Sequence, residues 1–418
     1  MDKLVIEGGF PLKGEVTISG AKNAALPILI SSLLSDEILN LQNVPNLQDI
    51  KTCIDLLRAL GVRVKRQGNE CLLDANDVNN FDAPYDLVKT MRASILVLGP
   101  LLAKYGEAKV SLPGGCAIGT RPVDFHLSAL EQLGAKIELK NGYIEASAKK
   151  LIGCEINFPG ISVTGTENIM MAAVLAKGQT ILRNVAKEPE VEDLAKFLNS
   201  MGAQISGAGT DEITINGVDD LAESSFTIPA DRIEAGTYLI AAAVTYGDIV
   251  IQDINANRMN NILDKLKLSG ALIDTNENSI SLSMPHDSIH PVDISTAPFP
   301  GFPTDMQAQF TVLNSLSNGS AVVTENVFEN RFMHVQELNR MGCDITVKGS
   351  NAFVKGVNRL TGAPVMATDL RASASLILAG LCADGETIVD RIYHIDRGYE
   401  RIEEKLSYLG ADITRLPG

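Results

Sequence analysis

The chain has 418 residues, 45% of them hydrophobic, with a formal net charge of −15. That length is too great for one ordinary core and predicts two or three domains, and the sparse aromatic residues (5%, no Trp) favour a closely packed α/β protein. The acidic balance argues against a general attraction for nucleic acid or an anionic membrane, so an anionic ligand must bind at local cations.

The chain has no predicted targeting or membrane-spanning segment. The start lacks the basic and apolar regions of a signal peptide, and no apolar run approaches the ~20 residues of a spanning helix, so a cytoplasmic protein is expected. Six cysteines without a C-x-x-C pair predict reduced thiols. His286 and His290 alone have helical metal-ligand spacing, and they stand in a Pro-flanked polar segment, so no metal site is predicted.

The first periodic feature is a helix that ends in glycine and is followed by a strand, which recurs six times along the chain. The glycines are 68–73 residues apart, and each occupies the position just past a helix end that favours glycine. The pattern therefore predicts six repeats of about 70 residues. The glycines are Gly61, Gly134, Gly202, Gly270, Gly342 and Gly410.

Each repeat also contains an earlier helix that is apolar on nearly all sides and is therefore predicted to be buried. A turn and a short strand follow it, and a loop then leads to the outer helix. The apolar helices are predicted at 25–34, 93–103, 169–176, 235–244, 308–316 and 372–381.

The two ends of the chain complement each other. The sixth repeat stops just after its last strand, whereas the chain begins with strand-like segments at 4–7 and 15–19, before the first apolar helix. We therefore predict that both N-terminal strands complete the sixth repeat, which gives one domain from 1–20 plus 230–418 with repeats four to six. Repeats one to three form the second domain, 21–229, which carries Cys116.

Cys116 stands in a loop rich in glycine and proline, 112–124 (LPGGCAIGTRPVD). Glycines permit close approach of a ligand, and a thiol near Arg121 has its thiolate favoured. Such a cysteine suits proton transfer or nucleophilic attack. Taken alone, the loop is more typical of a glycine-rich connection with an incidental cysteine, and the rest of the chain reverses that preference.

Cations recur at corresponding ends of the repeats in this acidic chain. Arginine forks and helix starts suit phosphate and carboxylate groups, so the set predicts a site for polyanionic ligands. No phosphate-binding P-loop or dinucleotide fingerprint follows a strand, which disfavours an ATPase or a dehydrogenase. For any one of these residues a solvated surface charge is the alternative. The cations are Lys22, Arg92, Arg121, Arg331, Arg371 and Arg397.

Six segments make the sequence resemble UDP-N-acetylglucosamine 1-carboxyvinyltransferases, of the enolpyruvyl transferase family, from end to end. They are 19–27, 112–124, 302–310, 325–334, 367–374 and 390–399. The resemblance implies a two-domain inside-out α/β barrel of six repeats, three per domain. It implies transfer of the enolpyruvyl group of phosphoenolpyruvate to the sugar 3-hydroxyl with release of phosphate. This reaction commits the sugar to peptidoglycan synthesis in the bacterial cytoplasm, without a metal or organic cofactor.

The resemblance also implies site residues. Cys116 is similar to the general acid, Asp305 to the carboxylate that deprotonates the sugar hydroxyl, and Lys22 and Arg397 to catalytic cations. Phosphoenolpyruvate is implied to bind Lys22, Asn23, Arg121 and Arg397. Arg331, Asp369 and Arg371 have supporting roles. The nucleotide sugar is implied to bind Asn23, Arg92, Arg121, Pro122, Val123, Asp124, Phe125, Ile161, Ser162, Val163, Thr164, Asp305 and Val327.

Departures from the family fall in the nucleotide-sugar part of the site. Gly160 stands where some members have Lys, Leu96 where others have Trp, and Thr164 where others have Gly. Cys116 stands where some members have Asp, so sensitivity to the epoxide fosfomycin is expected. Two alternatives stay open: an enzyme acting on shikimate 3-phosphate, and a silent regulator that binds the nucleotide sugar.

Overall fold

The computed structural model describes residues 2–112, 123–286 and 289–418, which divide into two compact units. One unit takes its described residues from 2–19 and 230–418, and the other from 20–229. Each unit has its own hydrophobic core. Gly20 falls in the second unit, where a Cβ atom would collide with the carbonyl of Asn43.

The 20–229 unit alternates helices and short strands. Its α-helices are Lys22–Ile30, Gln48–Leu60, Tyr85–Val88, Leu98–Tyr105, Asp124–Gln132, Val163–Ala173 and Pro189–Ser200, with 3-10 helices at Ser31–Leu34 and Arg92–Val97. Its strands are Leu39–Gln42, Arg63–Gln67, Glu70–Asp74, Asp82–Ala83, Glu107–Ser111, Lys136–Lys140, Tyr143–Ser147, Glu155–Asn157, Gln179–Arg183, Gln204–Ser206, Glu212–Asn216 and Ser224–Thr227.

The other unit has the same alternation. Its α-helices are Arg232–Val244, Asn260–Leu268, Gln307–Ser315, His334–Arg340, Leu370–Leu381 and Ile402–Tyr408, with 3-10 helices at Ala256–Arg258, Thr304–Met306 and Ile392–Arg397. Its strands are Lys3–Glu7, Lys13–Thr17, Asp248–Gln252, Leu272–Thr275, Ser279–Ser283, Ile294–Ser295, Ser320–Thr324, Asp344–Lys348, Asn351–Lys355, Leu360–Thr361, Pro364–Met366, Ala383–Asp384, Glu386–Asp390 and Asp412–Leu416.

Every repeat builds one four-stranded mixed sheet, in which three strands are antiparallel and the edge strand is parallel to its neighbour. In the 20–229 unit the edge strand comes from the preceding repeat, and the exchange is cyclic. Asp82–Ala83 and Glu155–Asn157 pass to the next repeat, and Ser224–Thr227 returns to Leu39–Gln42 of the first. Cyclic exchange ties the three repeats of this unit into one body.

The N-terminal strands close the other unit. Lys3–Glu7 lies antiparallel between Glu386–Asp390 and Asp412–Leu416, which confirms that it completes the sixth repeat. The expectation that the second strand does the same is wrong, because Lys13–Thr17 pairs in parallel with Asp248–Gln252 of the fourth repeat. It occupies the edge position that Ser224–Thr227 fills in the first repeat.

The repeat pattern is confirmed at helix ends and in the core. The six predicted glycines have φ between 96° and 107°, a left-handed conformation that favours glycine. The apolar helices are buried throughout most of their length, as in Arg232–Val244, where every residue is buried. The α/β class is thus established, while closure of the sheets into an inside-out barrel stays a prediction. Within the described ranges, the helices are too short or too polar to cross a membrane.

Candidate active site

The predicted site residues are distributed over both units. The unit formed by 2–19 and 230–418 holds Asp305, Val327, Arg331, Asp369, Arg371 and Arg397. The 20–229 unit holds Lys22, Asn23, Arg92, Val123, Asp124, Phe125, Ile161, Ser162, Val163 and Thr164. Cys116, Arg121 and Pro122 lie outside the described residues.

Asp305 lies in the 3-10 turn that precedes the helix Gln307–Ser315, and its carboxylate is held between two guanidinium groups. Nη2 of Arg331 donates to Oδ1 at 2.7 Å, and Nε of Arg371 donates to Oδ2 at 3.4 Å. The arginine side chains are 6% and 3% exposed, whereas that of Asp305 is 28% exposed. The structure therefore brings these three predicted residues together, with the carboxylate accessible.

Glu325, which the sequence analysis missed, orients Arg331 through Thr304. Nη1 of Arg331 donates to Oγ1 of Thr304 at 2.7 Å, and that hydroxyl donates to Oε2 of Glu325 at 2.8 Å. The other carboxylate oxygen of Glu325 accepts the backbone N–H groups of Val327 and Phe328 at 2.8 and 3.1 Å. Val327, predicted to contact the nucleotide sugar, thus lies on the segment that fixes Glu325.

Arg371 lies in the first turn of the helix Leu370–Leu381, which Asp369 caps by accepting the N–H groups of residues 371 and 372 at 2.9 and 3.0 Å. Burial disfavours the guanidinium charge, but Tyr399, Asp231 and Asp305 together raise the pKa of Arg371. Nη2 of Arg371 lies 3.8 Å from Oδ2 of Asp231, and within the described part of the chain Nη1 and Nη2 have no hydrogen-bond acceptor. Because the side chain is 3% exposed, the guanidinium acts on the carboxylates of Asp305 and Asp231 and supports the site from the interior.

The aromatic ring of Tyr399 packs against Arg371, with the guanidinium carbon 5.1 Å from the ring centroid. Oγ1 of Thr237 donates to the carbonyl of Ile233 at 2.8 Å, so the Tyr399 hydroxyl is the donor in its 2.9 Å bond to that oxygen. Nε2 of Gln309 donates to the Tyr399 hydroxyl and to the carbonyl of Asp305. One buried network therefore fixes both Arg371 and the turn that carries Asp305.

Arg397 ends the 3-10 helix Ile392–Arg397 and is half-buried. A Cβ on the next residue, Gly398, would collide with Leu370, so glycine permits this segment to pack against the start of the helix Leu370–Leu381. Burial, and then the charge of Arg397, lower the pKa of His394. Arg397 therefore lies on the segment that adjoins Arg371.

In the 20–229 unit, Lys22 begins the helix Lys22–Ile30 and pairs with Asp49, a partner that the sequence analysis missed. Nζ lies 3.2 Å from Oδ2 of Asp49, with side chains 12% and 6% exposed. Asn23, the next residue, is exposed. The ion pair holds the lysine head at the start of its helix.

Asn168 and His126 form a buried polar pair that also escaped the sequence analysis. Oδ1 of Asn168 accepts the N–H of Gly99 at 2.8 Å, which fixes the orientation of the amide. Nδ2 then donates to the carbonyl of Ile95 at 3.2 Å and lies 2.9 Å from Nδ1 of His126. Nε2 of His126 lies 3.4 Å from Oγ1 of Thr164.

This pair connects three segments that carry predicted nucleotide-sugar residues. They are the 3-10 helix that begins at Arg92, the run 124–126, and the helix start that carries Thr164. The run 124–126 also approaches the chain just before Thr164. The Phe125 ring lies 3.5 Å from the position that a Cβ atom would occupy on Gly160. The predicted determinants are thus held together by buried contacts within this unit.

The described side chains contain no group of three or more His, Cys, Asp or Glu residues that could hold a metal ion. The described side chains instead provide the carboxylate of Asp305, which two arginines hold. They also provide further cations, Lys22 in one unit and Arg397 in the other. Such groups accept a proton and neutralise phosphate or carboxylate charge.

Comparison with known proteins gives a consistent result. Residues 6–406 match the EPSP synthase (3-phosphoshikimate 1-carboxyvinyltransferase) family. UDP-N-acetylglucosamine 1-carboxyvinyltransferase of Hydrogenovibrio crunogenus is 58% identical over 416 residues, covering 99% of this chain and 100% of the relative. The enzyme of that name from Coxiella burnetii is 58% identical over 420 residues, covering 100% and 96%.

Solved structures share the fold. The enolpyruvyl transferase NikO from Streptomyces tendae superposes with a TM-score of 0.90 at 24% identity, covering 100% of this chain and 99% of that one. EPSP synthase from Acinetobacter baumannii superposes with a TM-score of 0.78 at 17% identity, covering 100% of both chains. At these identities the likeness supports the fold alone.

Proposed function

Since the chain belongs to the EPSP synthase family of enolpyruvyl transferases and aligns end to end with UDP-N-acetylglucosamine 1-carboxyvinyltransferases, we propose that it transfers the enolpyruvyl group of phosphoenolpyruvate to the 3-hydroxyl of UDP-N-acetylglucosamine. Phosphate is released, and the product enters peptidoglycan synthesis. The enzyme is a transferase, and we expect it to act in the bacterial cytoplasm.

The observation that carries the proposal is the carboxylate of Asp305 held between Arg331 and Arg371 at 2.7 and 3.4 Å. An accessible carboxylate in a fixed position suits removal of the proton from a sugar hydroxyl. The buried guanidinium of Arg371 holds that carboxylate in place from the protein interior. A positioned and accessible base is therefore available, as the addition step requires.

In the addition step, the 3-hydroxyl oxygen bonds to C2 of phosphoenolpyruvate and its proton passes to Asp305. Cys116 gives a proton to the methylene carbon C3, so the double bond becomes a single bond. Lys22, Arg121 and Arg397 neutralise the phosphate and carboxylate charge of the tetrahedral adduct. We assign Asn23 to phosphoenolpyruvate and to the sugar.

In the elimination step, C3 loses a proton and the C2–O bond to phosphate breaks, which restores the double bond. Cys116 is the group that accepts this proton, so it must serve as acid and then as base. The unit with Asp305 is assigned as the catalytic domain, and residues of both units are required for turnover.

The test is phosphate release from phosphoenolpyruvate with UDP-N-acetylglucosamine, run beside shikimate 3-phosphate. We expect release with the nucleotide sugar only and loss of release in Cys116→Ala. Release with shikimate 3-phosphate only would assign the protein to the other activity. Binding of the nucleotide sugar without release would favour the silent regulator.

The matched control for the thiol is Cys116→Asp, because some family members have Asp there. We expect this variant to release phosphate and to resist fosfomycin, whereas the wild type loses activity and gains the mass of the inhibitor on Cys116. An unmodified, fully active wild type after fosfomycin treatment would remove Cys116 from the proposed chemistry.

A further inference from the structure

We infer that His126 is a positioning residue for the nucleotide sugar, which sets the hydroxyl of Thr164 as a hydrogen-bond donor toward that ligand. The inference rests on the proposed function, because it takes UDP-N-acetylglucosamine as the ligand of the Thr164 segment. The contacts that carry it lie wholly within the 20–229 unit.

The direction of each hydrogen bond follows from a single backbone donor. The N–H of Gly99 must donate to Oδ1 of Asn168, so the amide nitrogen Nδ2 faces His126. Because Nδ2 can only donate, Nδ1 of His126 must accept, and the ring proton stands on Nε2. His126 is therefore the Nε2–H tautomer, and Nε2 donates to Oγ1 of Thr164 across 3.4 Å.

This assignment decides what the Thr164 hydroxyl does. Its oxygen accepts from His126, so its own proton is available for a further acceptor. No other described residue hydrogen-bonds to that hydroxyl, and the side chain is half-buried rather than enclosed. Oxygen atoms of a nucleotide sugar are acceptors of the required kind, and Thr164 lies in the run 161–164 proposed to bind it.

His126 also holds Thr164 in register with its neighbours. Asn168 fixes the ring from one side, and a Cβ on Gly99 would collide with the oxygens of Asn168, so the approach of the two helices depends on glycine. Phe125, next to His126, lies against Gly160. The ring of His126 therefore sets the distance between the 124–125 run and the 161–164 run.

Burial, and then the charge of Arg92, lower the pKa of His126 to about 4. The ring is thus neutral at working pH, and its tautomer persists there. Among the described residues, Asn168 on the neighbouring helix and Thr164 are hydrogen-bonded to the ring, and Arg92 is the charge that acts on it. The effect of His126 on the ligand should accordingly be the same at pH 6 and pH 8.

The test separates the roles of Nδ1 and Nε2 of His126. In His126→Asn the amide oxygen can replace Nδ1 as the acceptor for Asn168, but the donor to Thr164 is lost. In His126→Gln the longer side chain can place an amide N–H where the Nε2–H donor was. We expect His126→Asn and Thr164→Val to raise KM for UDP-N-acetylglucosamine about threefold to tenfold, the loss of one hydrogen bond. His126→Gln, which restores the donor, should keep KM for UDP-N-acetylglucosamine within about twofold of wild type, and KM for phosphoenolpyruvate should not change in His126→Asn.

The dissociation constant of UDP-N-acetylglucosamine, measured by calorimetry on the same variants, separates this inference from the proposed reaction. If the wild type binds the sugar without turnover, the reaction fails while the ranking of the variants still tests His126. Equal binding in His126→Asn and wild type would overturn the inference. The inference would also be overturned if His126→Gln and His126→Asn both raised KM for the two substrates and lowered thermal stability to the same extent. That result would indicate a purely structural residue.

Discussion

Arg371 donates from Nε to Oδ2 of Asp305 at 3.4 Å, although 66 positions separate the two residues in the sequence. The contact joins the turn before one buried helix to the first turn of another. The Arg371 side chain is 3% exposed and that of Asp305 is 28% exposed. Because water reaches the carboxylate but hardly reaches the guanidinium, the ion pair stabilises the charge of Arg371 more than that of Asp305.

Replacing Asp305 tests the proposed base. In Asp305→Asn the amide cannot accept the sugar proton, so we expect kcat to fall about 10²- to 10⁴-fold, the usual contribution of a general base. Thermal stability should also fall, because the change leaves two buried guanidinium groups without their shared carboxylate, so activity is compared at a temperature at which both proteins are folded. Phosphate release provides the measurement, and Asp344→Asn, an exposed aspartate of the same unit, is the control. Activity within tenfold of wild type would contradict the assignment.

Replacing Tyr399 separates its ring from its hydroxyl. Tyr399→Phe keeps the ring 5.1 Å from Arg371 and loses the hydroxyl, which donates to Thr237 and accepts from Gln309, so we expect a cost of about 1 kcal/mol in unfolding free energy and nearly unchanged activity. Tyr399→Leu also removes the aromatic support and should lower kcat/KM about tenfold. Urea unfolding and phosphate release distinguish them, and equal activity of the two variants would show that the ring has no role.

Much of the fold follows from the sequence, because glycines at helix ends and uniformly apolar helices are local signals. The glycines with φ of 96–107° are where the repeat pattern requires a left-handed residue. Strand partners are not local signals. Lys13–Thr17 pairs with Asp248–Gln252, and nothing within either segment specifies that partner.

The site is predictable only in part for a similar reason. Charged residues at repeat ends are visible in the sequence, and the resemblance assigns them roles. Glu325, Asn168 and His126 are buried polar residues whose importance lies in their contacts with distant segments. For His126 the available signal was its position beside the run 121–125, and for Asn168 its place on an otherwise apolar helix.

His334 should destabilise the protein as the pH falls. Burial lowers its pKa to about 4, and neither ring nitrogen has a hydrogen-bond partner among the described atoms. The unfolded chain binds a proton below about pH 6.5 while the folded chain does not, so stability is lost as the pH falls from 6.5 to 4. At pH 5 this amounts to about 2 kcal/mol.

The variant His334→Leu isolates that effect, because leucine is apolar and similar in volume. We expect its stability relative to wild type to be about 2 kcal/mol greater at pH 5 than at pH 7.5, measured by urea unfolding. The difference is the readout, since Glu167 and Glu234, whose pKa values are raised by burial, make stability fall as the pH rises. A difference that does not change with pH would mean that His334 has the same pKa in the folded and the unfolded chain.

The ion pair between Lys405 and Glu234 binds Ser19, which follows the second N-terminal strand, Lys13–Thr17. Nζ of Lys405 donates to Oε1 of Glu234 and to Oγ of Ser19, both at 2.7 Å, and the N–H of Ser19 donates to Oε2 of Glu234 at 3.0 Å. Glu234 is 2% exposed. Lys405→Met should therefore cost about 3 kcal/mol at pH 8, because it leaves a buried carboxylate without its cation.

The double variant Glu234→Gln/Lys405→Met shows how much of that cost is the unpaired charge. A neutral amide can still accept from Ser19, so we expect it to be at least about 1 kcal/mol more stable than the sum of the single changes predicts. The cost of Lys405→Met alone should shrink as the pH falls towards 5, since burial already raises the pKa of Glu234 and loss of the lysine raises it further. Additive costs that do not vary with pH would place the stabilisation in the packing of the lysine stem rather than in its charge.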